Sequence, residues 1–343
     1  LPTVAGIYGA SGQSGWISGR ELTLTAEARY FDGVPDLRSH LAQIESADFW
    51  RRINPHLGVT DTPFADRPTT YEFAARDIAR ARQQICEEGY LHSGPGVSAA
   101  DCQALSTAMG RIIEAKHHPM FLAVYDEYWR VLQGIAPLLT PILGQHYRVL
   151  GDFWIWCISH QTANKGWRPH RDHQFRQRVT LRDDRTPTVV TVWIPFTDAT
   201  PLNGCMYLLP LSRDPNFPDR PDAFEASSLQ DVRALPAEAG SVLAWNQYVM
   251  HWGGAASKWA DGPRMSTGIY VQAGDVPLFT DKPVDFDQAL PFEKRLSLIA
   301  ANMLLYQNEH RFPAEWVEVA LRAVKALPNW EALVPDSVLR PNA

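Results

Sequence analysis

The apolar positions of this chain change period twice. They recur at helical spacing between 71 and 145, fall into short strand-like runs from 147 to 272, and return to helical spacing after 283. The first helical signal is 71–88 (YEFAARDIARARQQICEE), rich in good helix formers, with Gly89 where a left-handed closing residue belongs. Ser98 and Asp101 have the spacing of a capping box. Behind them Cys102, Leu105, Met109, Ile112 and Ile113 recur on one face and predict an amphipathic helix. A third helix is expected over 119–133, opened by Pro119, with Pro137 and Pro141 breaking the pattern beyond it. The strand-like runs are 153–159, 188–196, 205–209, 241–245 and 265–272, separated by Gly, Pro, Asn and Asp turns, which suggests a sandwich or barrel. Amphipathic helices are expected again over 292–308 and 314–326. Residues 1–70 show no long period, and 5–19 carries five glycines, so this part is expected to wrap irregularly over a core. The expected plan is one domain over 1–343: an N-terminal wrap (1–70), helical support (71–145), a strand-rich core with the chemistry (146–275) and C-terminal helices (284–343).

Composition narrows the classes. With 343 residues, 45% of them hydrophobic and 20% charged, the chain can bury a core without disulfide staples. A net charge of -6 argues against a nucleic-acid partner, which would need a basic face. The longest nearly apolar stretch, 135–144, is too short for a bilayer and contains two prolines, so no membrane partner is expected. Cys86, Cys102, Cys157 and Cys205 form no CxxC pair and read as buried thiols in a reduced compartment. The first residues lack a basic start and a long apolar run, so a cytoplasmic location is expected.

The chemistry gathers around PHRDHQ at 169–174. In extended backbone His170 and Asp172 point to one side, and Arg171 and His173 to the other. An imidazole and a carboxylate two residues apart can occupy adjacent positions on one metal ion. A distant histidine would complete a facial triad of the kind that suits non-haem Fe(II) and its chemistry with O2. His251, followed by Gly253 and Gly254, is that candidate. His-x-Asp alone is a common pattern, and each member also has a plain reading as a surface or core residue. At 264–270 alternation puts Arg264, Ser266, Gly268 and Tyr270 on one face, where a guanidinium and a hydroxyl could grip a carboxylate. Seven of the 12 tryptophans lie between Trp154 and Trp259, enough to wall an apolar pocket.

These runs resemble the phytanoyl-CoA dioxygenase family of Fe(II)/2-oxoglutarate-dependent oxygenases. The likeness extends over about 85–272 and rests on EEGYL at 87–91, PHRDHQ at 169–174 and VTVWIPFTDATPLNGCMYLLPLS at 190–212. It continues through GSVLAWNQYVMHWGG at 240–254 and RMSTGIYVQ at 264–272. It implies a double-stranded β-helix, a jelly-roll barrel buttressed by N- and C-terminal helices. It implies His170, Asp172 and His251 as iron ligands, and Arg264, assisted by Ser266, as the grip on the distal carboxylate of 2-oxoglutarate. Trp193 falls where the family has an aromatic residue beside this cosubstrate. Thr191 shares its face, and Cys157 lines either the cosubstrate pocket or the core. The retained carboxylate at Asp172 favours hydroxylation of an unactivated C–H bond by O2, since related halogenases replace it. Desaturation, ring closure and epoxidation stay open. The expected substrate is a small organic molecule of secondary metabolism.

Two departures stand out: 258–263 reads as an inserted turn between His251 and Arg264, and the arginine-rich 174–186 is either a lid or a solvated loop. Other readings are a cupin-like metal oxygenase or isomerase that does without 2-oxoglutarate, a non-catalytic jelly-roll binding module, and a zinc hydrolase, for which no general base is apparent. The C-terminal helices either pack on the barrel or join two copies as a homodimer.

Overall fold

The computed structural model describes residues 28–334 except 65–68, 162–165, 173–178, 218–228, 281 and 311. The glycine-rich 5–19 segment lies outside them, as does the first half of the arginine-rich stretch. Helices form a shoulder on the N-terminal side: α1 (Leu37–Ala42), α2 (Ala47–Ile53), α3 (Ala75–Glu88), α4 (Ala99–Glu114), α5 (Asp126–Gly134) and α6 (Ala136–Leu143). Three more come from the C-terminal side: α7 (Phe292–Leu305), α8 (Gln307–His310) and α9 (Ala314–Val324). Between them run eight strands: β1 (Tyr90–Pro95), β2 (Arg148–Ile158), β3 (Val189–Pro195), β4 (Met206–Leu209), β5 (Arg233–Leu235), β6 (Ser241–Asn246), β7 (Met250–Gly253) and β8 (Arg264–Gln272). Among the described residues no helix is long and apolar enough to cross a membrane.

Local chemistry sets several helix ends. Gly89 closes α3 at φ 82°, a left-handed conformation that only glycine adopts without strain, and α3 feeds directly into β1. Ser98 accepts the Asp101 N–H at 3.1 Å and starts α4, which buries Cys102, Leu105, Ala108, Met109 and Ile112. Three expectations are corrected. The wrap is partly regular, because Asp36 and Ser46 side chains cap α1 and α2. The helix over 119–133 is split, with a 3-10 segment (Pro119–Val124), extended Tyr125 and then α5. Pro137 and Pro141 lie inside α6. Pro137 stands in the first turn, where no N–H is needed, and buried Leu138, Leu139, Ile142 and Leu143 offset the bond Pro141 forgoes.

The strands make two antiparallel sheets, ordered β1-β6-β3-β8-β2 and β5-β4-β7. No closed barrel forms among the described residues. Trp193, Leu243 and Trp245 of the larger sheet share one buried cluster with Met206, Leu208 and Leu235 of the smaller, so the sheets pack face to face. The outer face of the larger sheet meets the helices, with Ile155, Val192, Ile194, Val242 and Ile269 in the main core.

α7 lies in this core and is buried nearly all round rather than amphipathic. Its Asn302 amide donates to Gly151 O at 2.8 Å and its Oδ1 accepts the Phe153 N–H at 3.3 Å, which ties the helix to β2. Its Arg295 reaches the shoulder, giving bonds to Asp126 (2.6 Å), Val124 O (2.7 Å), Leu290 O (2.8 Å) and Thr60 O. The C-terminal helices are thereby fastened to both layers, and β2 and β8 are held where the site forms.

Candidate metal centre

His251 lies on β7, a strand too short to show in the hydropathy pattern. His170 is not on a regular strand, but its backbone joins β7 through two reciprocal bonds: His170 N to His251 O at 3.1 Å, and His251 N to His170 O at 2.9 Å. This pairing sets the two rings side by side, 4.4 Å between centroids. The alternation expected at 170–172 holds. Asp172 turns inward with His170, while Arg171 turns away, pairs with buried Asp214 at 2.6 Å and donates to Tyr248 O. His173 lies outside the described residues.

His170, Asp172 and His251 bring one ligand atom each within 4.8 Å of one another, the one such group among the described residues. Asp172 Oδ1 stands 3.6 Å from His170 Nε2 and 3.8 Å from His251 Nε2. Each ring turns its Nδ1 to a carbonyl, Arg168 O at 2.8 Å and Val249 O at 3.0 Å, which fixes the tautomer that leaves Nε2 a lone pair toward the shared point. Burial pushes the His251 pKa down to about 4 against the pull of Asp172, so the ring is neutral and fit to ligate. Burial alone would raise the Asp172 carboxyl. The two imidazoles and the Thr191 hydroxyl outweigh it and hold the group well below the usual carboxylate range.

Three donors orient that carboxylate: Thr191 Oγ1 at 2.5 Å and Trp245 Nε1 at 3.0 Å on Oδ2, and the Tyr270 hydroxyl at 3.0 Å on Oδ1. They sit on β3, β6 and β8, neighbours in the larger sheet, with Thr191 paired in register to both Trp245 and Tyr270. Burial, reinforced by Asp172, pushes the Tyr270 pKa well above its ordinary value, so it stays a donor. Thr191, expected beside the cosubstrate, lines the cavity with Arg264 and Trp193 and also serves Asp172. Cys157 is absent from the cavity wall and packs in the main core, because its side chain falls on the other face of β2 from Trp156.

Arg264 behaves differently from an ordinary buried cation. It is 1% exposed, yet no described carboxylate pairs with it. Its Nη1 donates to Gly204 O at 2.6 Å, and its guanidinium lies 5.6 Å from the centroid of the Trp193 ring. Its Nε, Ser266 Oγ and Trp193 Nε1 are buried with no partner among the described residues. The orphaned donors of Arg264 and Trp193, on an uncompensated cation and the ring beside it, form a receptacle for an anion, since each would otherwise carry a desolvation cost. A Cβ on Gly253 would lie 3.0 Å from Arg264 Nη1, and one on Gly166 would lie 2.7 Å from Gly253 Cα, so glycines here let the chain close over the guanidinium.

One cavity joins Arg264 and Trp193 to the three clustered donors, while Ser266 is buried beside it and not on its wall. Its walls include Trp154, Trp156, Trp167 and Tyr306. Trp167 meets the edge of the His170 ring at 5.7 Å and the Tyr306 ring at 4.9 Å, so the C-terminal helices supply part of the wall. These tryptophans fall within the run expected to wall an apolar pocket, whereas Tyr306 lies outside that run and was not foreseen, and neither was the bond from Trp245 to Asp172.

The sequence profile of the phytanoyl-CoA dioxygenase family (PhyH) matches residues 85–259, just over half of the chain. The chain belongs to this family. It is accordingly an Fe(II)/2-oxoglutarate-dependent enzyme: a two-histidine, one-carboxylate donor set suits Fe(II), and the orphaned donors at Arg264 suit a dicarboxylate. No curated protein matches the chain. Among solved structures it is similar to the non-heme monooxygenase ThoJ in its apo form, at 13% identity over 76% of this chain and 100% of that chain, with a TM-score of 0.50. It is also similar to the epimerase SnoN in complex with Fe3+, alpha ketoglutarate and nogalamycin RO (18% identity, 62% of this chain and 87% of that chain, TM-score 0.45). A third similar structure is AviO1 from Streptomyces viridochromogenes (18% identity, 60% and 99%, TM-score 0.44). The ThoJ likeness is one of fold.

Proposed function

We propose that this enzyme uses O2 and 2-oxoglutarate to hydroxylate an unactivated C–H bond of a small, largely apolar organic molecule, in secondary metabolism. The observation that carries the reading is the pairing of the His170, Asp172 and His251 donor set with Arg264, a buried cation without a counter-charge among the described residues. The fold proposed is the double-stranded β-helix of the family. Eight strands in two face-packed antiparallel sheets support it.

His170 Nε2, Asp172 Oδ1 and His251 Nε2 would hold Fe(II), which with 2-oxoglutarate supplies the oxidation of a C–H bond by O2, releasing succinate and CO2. Arg264 and Ser266 would take the distal carboxylate of the cosubstrate, with Trp193 against its chain. Thr191, Trp245 and Tyr270 hold Asp172 in the ligating orientation. Trp154, Trp156, Trp167 and Tyr306 exclude water from the reacting bond and offer an apolar surface to the substrate. A carboxylate at 172 fills a position that an exogenous halide would need, which favours hydroxylation over halogenation. The alternative without 2-oxoglutarate leaves Arg264 and Ser266 unexplained.

The test is succinate release from 2-oxoglutarate in the presence of Fe(II), screened with candidate substrates and read with the oxidised product. Metal-dependent succinate release coupled to a product one oxygen heavier supports the reading. Turnover of substrate with no consumption of 2-oxoglutarate would refute it.

A further inference from the structure

The metal cleft has a second polar end. β2 loses register with β8 between Val149 and Phe153, and the bulge places Asp152 on the wall of the cavity that contains Asp172 and Tyr270. Asp152 is 7% exposed, and its Oδ1 lies 2.6 Å from Lys282 Nζ, itself buried. No described group donates to its other oxygen. The bulge is built around this pair. Gly151 N donates to Lys282 O at 3.1 Å and Val284 N to Val149 O at 2.8 Å, and a Cβ at Gly151 would lie 2.4 Å from the Lys282 carbonyl. Asp152 neighbours Tyr270, whose register position is six residues along β8 from Arg264. At about 3.3 Å per residue the two charged positions stand roughly 20 Å apart along the strand. Arg264 thus serves one end of the cleft and Asp152 the other, among Trp154 and Tyr306.

We infer that Asp152, held by Lys282, is the specificity-determining acceptor of this enzyme and takes a neutral hydroxyl on an otherwise apolar, ring-bearing substrate. The inference rests on the oxygenase reading and adds the substrate class to it. The pair with Lys282 is already neutral, so an ammonium would bring an uncompensated charge into a buried site. A hydroxyl brings only a donor, and its bond to a carboxylate is of the strong, charge-assisted kind. Aromatic walls fit the rest of such a molecule, and an analogue without the hydroxyl would leave the carboxylate oxygen on the cavity wall without a protein or ligand donor.

Three probes of one shape decide it: naphthylmethanol, methylnaphthalene and naphthylmethylammonium, titrated into the full chain and followed by quenching of tryptophan fluorescence. The expected result is an alcohol affinity about tenfold above that of the methyl analogue, with the ammonium weaker than the alcohol. The double variant D152L/K282M removes the acceptor together with the charge pair, and keeps neutrality and approximate size. In it the alcohol's advantage should fall below about twofold, with methylnaphthalene binding unchanged. An advantage that survives in the variant, an ammonium that binds best, or three probes that bind alike or not at all overturns the inference. Should the variant fail to fold, the ranking on the wild-type chain decides alone. The visible charge-transfer band of the anaerobic Fe(II)–2-oxoglutarate complex, recorded without probes, keeps the two readings apart. A missing band with the alcohol preference intact refutes the oxygenase and not the acceptor, and the reverse pattern refutes the acceptor alone.

Discussion

Arg295 and Arg264 are equally buried and oppositely kept. In the helical shoulder, Arg295 spends its donors on Asp126 and on the carbonyls of Leu290, Val124 and Thr60, so its charge is paired and its geometry filled. Burial lowers its pKa and Asp126 pulls the other way. In the cleft, Arg264 has Gly204 O and a methionine sulfur, no carboxylate among the described residues, and a pKa that burial pushes down to about 10. The first arginine completes the fold, whereas the second is completed only by something that binds. A sequence cannot separate the two, because the difference lies in what distant positions do or fail to do around each.

The largest expected effect lies at the metal. Asp172→Ala removes the group on which both imidazoles and three donors converge. Fe(II) affinity should fall by more than about 100-fold, since losing an outer partner of a ligand alone costs ~10–100-fold, and succinate release should drop to background. Wild-type turnover in that variant would contradict the ligand assignment.

Methionine substitutions at the two arginines sharpen the contrast next. Arg295→Met strands Asp126 in the core and should cost about 3–5 kcal/mol in a denaturant titration. Arg264→Met strands no carboxylate and should stay within ~1 kcal/mol of wild type, or exceed it, while 2-oxoglutarate binds at least about 30-fold more weakly by calorimetry. Equal destabilisation by both substitutions would erase the distinction.

Tyr270→Phe deletes one of three donors to Asp172 with little change in shape. A metal affinity about tenfold lower is expected, smaller than for Asp172→Ala, and is read by competition with a chelator.

The smallest effect at neutral pH, one that grows only as pH falls, tests a shoulder-side group without described partners. His117 stacks on His40 at 4.1 Å, both its ring nitrogens lack described partners, and burial, helped by His40, pushes its pKa down to about 3. In the unfolded chain it takes a proton near pH 6.5, about the ordinary histidine value. Its contribution is therefore complete above pH 6.5 and erodes as pH falls toward 3, at up to about 1.4 kcal/mol per unit. His117→Phe should flatten that acid limb and leave stability at pH 8 nearly unchanged, whereas an unaltered limb assigns the acid sensitivity elsewhere.

Much of the site was legible because period-2 alternation is a strict rule. Arg264, Ser266 and Tyr270 share a face as expected, and His170 and Asp172 point together even though their backbone is not a regular strand. The long strands and the caps at Ser98 and Gly89 were legible for similar local reasons. What hid was set by distance. β7 has four residues, too few for a pattern, and gains its place by pairing with β4 and with His170. Thr191 and Trp245 owe their role to the register of β3 and β6 against each other, which neither strand encodes alone. α7 reads as amphipathic, yet α9, the 3-10 segment at 119–124 and β2 all pack on it, so its polar Asn302 and Arg295 face partners rather than water. Pro141 looked like a breaker, and buried leucines overrode it.

The central claim is that Arg264 waits for the acid that the metal site needs. Anaerobic titration of 2-oxoglutarate into the Fe(II)-loaded chain tests it most directly. A visible charge-transfer band should rise to saturation in the wild type and be lost or shifted to far higher concentration in Arg264→Met, a variant expected to stay within ~1 kcal/mol of wild-type stability. No band in the wild type, or the same titration curve in both proteins, would contradict the account.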